Sequence, residues 1–452
     1  MSWIQVSPTQ YERPFDAIEV FYRGLADAAA PFNKQHYLIS SVTRLKVLPP
    51  VEEVQQAWRN LREEQPQIAA VADDSGTRFI YTVPSPAELD VWTQETLLVE
   101  PNMPASHLLN ILEPSTLFRL YYLPHSRELL WRTPHWRVDG IGLMHVQAAF
   151  FRLLSGQSTP SEPSNIITRL NPSLDDIMTP PGTMTPEEIT SSINAELSIV
   201  LDNAPTTITT PTLPNILPST TRFLHTSIPA ATSTRIITTC KAHNLTITTA
   251  LHATFTLALL PHIQHNYDPS TRGLPGGTYT GLNAHSLRRY LPTPYNSPSA
   301  AVSVYHTGIP FSIDLSTTRD FHSIASALGK GYARDLSAAQ PRPIFPFHPQ
   351  YVSTILELFL AQPEDPLRGS AVPVLSSLGR VDDYLDKEYG DVEVVDWWIG
   401  VDVVSRGLVV NVWSWRGELR LGVAWNEAFY EEGFVRDIVE GWRGRLIEEL
   451  GR

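Results

Sequence analysis

Residues 131–142 read WRTPHWRVDGIG. An apolar run ends at Pro134, His135 follows, Asp139 comes four residues later, and Gly140 directly after it. Upstream, LFRLYYL (117–123) and ELLWRT (128–133) flank PHSR, a pattern that predicts a hairpin. Downstream, IGLMHVQAAFFRLL is apolar without a break and long enough for a buried helix. His135 thus belongs in a turn between strand and helix, at the edge of a folded unit. The frequencies of His, Asp and Gly predict about 0.65 chance occurrences of H-x-x-x-D in this chain but only about 0.03 of H-x-x-x-D-G. The glycine gives the spacing its weight.

The chemistry of these residue types is specific. Histidine titrates near neutrality, so it can take a proton from a hydroxyl or amine at cell pH. Asp139 stands where the helix begins. It suits a helix N-cap as well as it suits direct catalysis. Gly140 permits close backbone approach or an unusual φ.

Composition narrows the class. The 452 residues are 42% hydrophobic and 18% charged, enough for more than one packed core. A net charge of −13 argues against nucleic acid or an anionic membrane as partner, since both call for clustered Lys and Arg. The single cysteine, Cys240, excludes an internal disulfide and the usual cysteine zinc sites; it reads as a small buried apolar residue. His262 and His265 lack a zinc site's carboxylate and read as helix-end residues, so no metal is expected. No glycine loop for ATP or NAD is present. The first residues carry no signal-peptide pattern and no apolar run approaches 18 residues, so a cytoplasmic, monomeric protein is expected.

Along the chain, strand and helix patterns alternate through residues 1–155. HYLISSVTRLKV reads as a strand, with a helix opening at Pro50, and TRFIYTV as another strand. Residues 156–221 shift to Pro, Ser and Thr and read as a crossover linker carrying one short helix near 186–201. Residues 222–452 resume order. Two helices break at Asn244, two strands lie in 276–314, a hairpin turns at Arg416-Gly417, and an amphipathic helix closes the chain. The expectation is an α/β protein of two lobes.

At this point the sequence resembles a known group. HWRVDG after a strand is similar to the H-x-x-x-D-G signature of the chloramphenicol-acetyltransferase-like superfamily, which includes plant BAHD acyltransferases, peptide-synthetase condensation domains and fungal O-acetyltransferases. HWRVDGIG resembles most the fungal trichothecene 15-O-acetyltransferase type. Softer likenesses extend the match: the opening strand and helix of residues 36–68, LTITTALHATFTLALL, SLRRYLP, and VLSSLGRVDDYL. Two departures narrow it. Pro134 stands where condensation domains carry a second histidine, and the D-F-G-W-G segment of plant enzymes is missing.

The resemblance implies two lobes, each a mixed sheet with packed helices, and a tunnel between them. It implies acyl transfer from acetyl-CoA or another acyl-CoA to a hydroxyl of a mostly apolar small molecule. His135 would be the general base. Asp139 would point away and pair with an arginine, Arg288 before its rival Arg289, with Gly140 supporting the loop. Ser376, Ser377 and Trp413 are candidates for the tunnel wall or for an oxyanion donor, a role worth about 3 kcal/mol per donor. For Trp413, which shares a strand face with Trp415, core packing is the alternative. Amide formation, or non-acyl chemistry such as cyclisation, is the competing reading.

Overall fold

The computed structural model describes residues 2–159, 166–178, 184–202, 208, 216–263, 277–337, 343–361 and 371–451. Residues 160–165, 179–183, 203–207 and 209–215 of the Pro/Ser/Thr-rich tract read as a linker, and His265, lie outside the described residues. Within that tract the helix Pro186–Leu201 forms, capped by Thr185 and with Pro186 at its first position. Pro50 is the N-cap of the helix Val51–Glu64 rather than its first residue. Proline needs no amide donor at either place.

Two larger sheets organise the chain. The first has six strands in the order 388–389, 392–401, 38–45, 128–134, 119–123, 97–99. The second has four, in the order 374–380, 409–415, 418–426, 221–228. Both are mixed: strands 97–99 and 119–123 run parallel, as do 374–380 and 409–415. Helices Val51–Glu64 and Gly140–Leu154 share the first sheet's core, where Trp58, Trp131, Phe150 and Phe151 interlock. Helices Ala230–Ala242, Ile247–Leu259 and Glu432–Leu450 share the second core with Trp425 and Trp442. Cys240 is buried in that core. The fold is α/β with two lobes, each a mixed sheet with packed helices.

Turns fall where backbone chemistry demands them. The hairpin between strands 119–123 and 128–134 carries Arg127 at φ 57°. The helix pair breaks at Asn244, φ 55°, and the last hairpin turns through Arg416 and Gly417 at 52° and 81°. Left-handed φ is cheap for Gly and tolerable for Asn, and costs more elsewhere.

One strand crosses between the lobes. Val392–Val401 comes late in the chain yet pairs antiparallel with Leu38–Leu45, with Ile399 opposite Ser41. Buried hydrogen bonds reinforce the junction. Trp397 Nε1 donates to Gln147 Oε1 at 2.9 Å, Gln147 Nε2 donates to Ser41 Oγ at 3.0 Å, and Ser41 Oγ donates to the Trp398 carbonyl at 3.1 Å. The division at 222–452 therefore does not describe the sheets: part of the later segment completes the earlier lobe.

A third core, under the ribbon Thr278–Ser286 and His306–Asp314, joins the small N-terminal sheet, the helix Ala17–Ala29 and the helix His348–Leu360. No helix among the described residues is long and apolar enough to cross a membrane.

Candidate active site

The loop 134–139 is fixed at every residue but one. Pro134 ends its strand opposite Leu38. Trp136 is buried in the third core against Phe15 and Phe79, whereas Val138 is buried in the first. Arg137 is buried and donates to the carbonyls of Thr116 and Ile68 at 3.3 and 2.8 Å. Burial lowers its pKa to about 9. Only the His135 side chain is not fully buried; its amide donates to the Tyr37 carbonyl at 3.1 Å.

Asp139 is the helix N-cap and the centre of a buried network. Oδ1 accepts from the Gly142 amide at 2.6 Å and Oδ2 from the Tyr305 amide at 2.8 Å. Arg288 Nη2 lies 3.0 Å from both oxygens. The guanidinium also donates to the Ala300 carbonyl at 3.1 Å and to Ser303 Oγ at 3.2 Å. Burial alone would raise the Asp139 pKa. Arg288, His306 and the two amides outweigh it, and the carboxyl lies below its ordinary value. Arg289, the rival, is exposed and bonds Tyr290.

The ion pair therefore joins the start of the helix Gly140–Leu154, in the first core, to the segment 288–305 that borders the third core, the seam of this site. Ser303, Tyr305 and His306 arrive there with Arg288. Gly142 explains how closely the pieces meet: a Cβ there would lie 2.2 Å from the Ala301 carbonyl oxygen and 2.9 Å from Arg288 Nη2. Gly140 is not at positive φ, and its added Cβ would crowd the end of the Leu378 side chain, at 2.7 Å, and make ordinary contact with Ile399 at 3.8 Å. The glycine that close packing requires is thus Gly142, two residues past the motif, which the spacing did not single out.

His135 is oriented by rings. It lies flat on Tyr22, centroids 3.9 Å apart and planes 7° apart. Tyr37 meets it edge-on at 6.2 Å and His306 at 5.3 Å. Nδ1 is buried with no partner in hydrogen-bonding geometry, and Nε2 has none among the described residues. Burial first, then His306, hold the His135 pKa down to about 3, against weaker upward pulls from its own peptide group and Asp139. His135 is nevertheless half-buried and not fully enclosed, as is His306. At neutral pH His135 is a neutral imidazole with a free nitrogen, able to accept a proton.

The remaining sequence candidates separate. Ser376 and Ser377 sit half-buried on the strand Val374–Arg380, two and one residues before Leu378, which abuts Gly140. The Ser377 hydroxyl is hydrogen-bonded to that of Thr248 at 2.8 Å, across to the helix Ile247–Leu259. Trp413 is 2% exposed and packs edge-on against Trp397 at 5.7 Å. It belongs to the core and does not line a tunnel, because its strand face is covered by the neighbouring sheet. Tyr22, Tyr37, Tyr305 and His306 were not singled out from sequence. Their elements are far apart in the chain, and no local spacing marks them.

Comparison with known proteins agrees with this architecture. No family model matches the chain. Acetyltransferase pigO of Monascus ruber is 26% identical over 475 residues, covering 100% of this chain and 98% of its own length. O-acetyltransferase pigM of the same organism is 25% identical over 469 residues, covering 100% and 87%. Among solved structures, TRI3 trichothecene 15-O-acetyltransferase from Fusarium sporotrichioides superposes with a TM-score of 0.80 at 18% identity, over 99% of this chain and 97% of that one. The fold is chloramphenicol-acetyltransferase-like. Within this chloramphenicol-acetyltransferase-like fold, the seam holding His135, Asp139 and Arg288 is the candidate site.

Proposed function

We propose that the chain is an acyltransferase that moves an acetyl or similar acyl group from a coenzyme A thioester to a hydroxyl of a hydroxylated, mostly apolar secondary metabolite. The observation that carries this reading is His135: a half-buried, neutral imidazole beside the Asp139–Arg288 pair, with no hydrogen-bond partner for its ring nitrogens among the described residues. The full-length likeness to an acetyltransferase and an O-acetyltransferase supports acyl transfer and a hydroxyl acceptor.

In this mechanism Nε2 takes the proton of the acceptor hydroxyl as its oxygen attacks the thioester carbonyl. The tetrahedral intermediate collapses, the carbon–sulfur bond breaks, and the departing thiolate takes the proton back from the imidazolium. An imidazole with a depressed pKa is a poor base toward water. In the site its charge forms beside the developing oxyanion, so the pair is stabilised together where either alone would be costly. Asp139 has no free oxygen for His135. Its part is to hold the helix start and Arg288, and so the loop that carries the histidine. Ser376 and Ser377 remain candidates for the tunnel wall.

The test is thiol release from acetyl-CoA in the presence of a panel of hydroxylated terpenoids and polyketides. His135→Ala should lower turnover by about 100-fold or more, the scale of a general base. Equal turnover by that variant would overturn the assignment. Transfer to amines but not hydroxyls would move the reading to amide formation.

A further inference from the structure

In many histidine-based sites a carboxylate fixes the ring. Here both Asp139 oxygens are consumed by Arg288, the Gly142 amide and the Tyr305 amide. His135 Nδ1 has no hydrogen-bond partner. What sets the plane of the ring is the face of Tyr22, parallel within 7° at 3.9 Å. Tyr22 projects from the helix Ala17–Ala29, and its hydroxyl is hydrogen-bonded to His306 Nε2 at 3.0 Å. His306 is itself placed by strand pairing, opposite Ser286, and its Nδ1 has no partner. The contact to Tyr22 is thus the hydrogen bond that its ring makes.

We propose that His306 is a positioning residue that acts through Tyr22: by holding the phenol hydroxyl it fixes the surface on which the His135 ring rests. Pro134 occupies the place next to His135 where a second histidine could have stood. The second imidazole of this site comes instead from the other side of the seam, 5.3 Å away. A ring held by aromatic contacts and by no hydrogen bond can rotate about χ1 and χ2 once its stacking platform tilts. Misplacement on the scale of 1 Å costs up to about 100-fold in rate.

As a mechanism for turnover this rests on the acyltransferase reading, so the test has one arm that needs no substrate. Histidine ring NMR on the full chain at pH 7.5 should show one sharp, single-rotamer signal for His135. Tyr22→Phe keeps the stacked ring but loses the hydroxyl, and His306→Ala loses the anchor. Both should broaden or double the His135 signal while leaving the melting temperature within a few degrees of wild type. His306→Gln, whose amide can still meet the hydroxyl, should restore most of the single signal.

In the activity arm, each single variant should lower kcat about 10- to 100-fold with KM for donor and acceptor little changed. The double variant should be no worse than either single one, since both break one contact. Unchanged His135 spectra in Tyr22→Phe and His306→Ala, or additive kcat losses, would overturn the proposal. Absence of thiol release by the wild type would sink the functional reading and leave the NMR arm standing.

Discussion

Asp139 and Arg288 are 149 residues apart in sequence and 3.0 Å apart in space, each with less than a tenth of its side chain exposed. The carboxylate accepts from two backbone amides, of Gly142 and Tyr305, and the guanidinium donates to the Ala300 carbonyl and to Ser303. This satisfaction is what makes a buried pair tolerable; removing one partner strands the other.

Asp139→Asn should therefore destabilise the protein by about 3–5 kcal/mol, because an amide cannot neutralise Arg288 and its NH2 group would face another donor. Arg288→Met should cost a similar amount. Urea unfolding followed by tryptophan fluorescence measures both. A fully stable Asp139→Asn protein would contradict the structural role.

The two glycines of the loop should differ in consequence. Gly142→Ala drives a methyl to 2.2 Å from a backbone oxygen, which cannot give way without moving the seam. Gly140→Ala meets the end of Leu378, which can change rotamer. Overpacking of this kind costs about 1–3 kcal/mol, with Gly142→Ala at or beyond the upper end. Thermal unfolding of the two variants, side by side, ranks them.

Buried neutral histidines should make the fold acid-sensitive. Burial lowers His36, His145 and His285 to about 4, and His135, His252 and His348 to about 3. In the unfolded chain the same rings titrate near 6.5, so below that pH the unfolded state binds more protons and gains ground. Stability present above about pH 6.5 is lost as pH falls toward the folded values, by up to about 1.4 kcal/mol per pH unit for each ring. The urea midpoint should fall steeply between pH 7 and 5, and loss of activity on the acid side should track unfolding rather than titration of His135. A midpoint flat across that range would refute this.

Gln147→Leu tests the stitching between strand and helix. It removes the acceptor of Trp397 Nε1 and the donor to Ser41, both buried. Ser41 keeps its bond to the Trp398 carbonyl, whereas Trp397 Nε1 is left unpartnered, at a cost of about 1–3 kcal/mol. Denaturant titration should show a loss in that range, with Trp397 emission altered.

The local elements were legible from sequence because their signals are local. A helix start at Thr185-Pro186, a break at Asn244 and a turn at Arg416-Gly417 each follow from the backbone preferences of a few neighbouring residues. Asp139 as an N-cap and Arg288 as its partner were readable too, one from spacing and the other through resemblance. The helix Ala17–Ala29 was overlooked although Asp16 and Glu19 form a capping box. The placement of Val392–Val401 in the first sheet was not readable, because strand partners are chosen by packing and not by periodicity. The same holds for Tyr22 and His306: nothing in either neighbourhood announces an aromatic platform, and their roles exist only once three distant segments meet.

The crossing strand carries a consequence for how the chain is made. Ser41 and Trp398 are 357 positions apart. During synthesis the edge formed by Leu38–Leu45 must wait, unpaired, until nearly nine-tenths of the polypeptide has left the ribosome. Exposed strand edges of that kind invite aggregation, and contacts of such sequence separation close slowly. The first lobe should therefore not fold as an independent fragment, and yield in a recombinant host should depend more on growth temperature and chaperone supply than on the final stability of the protein.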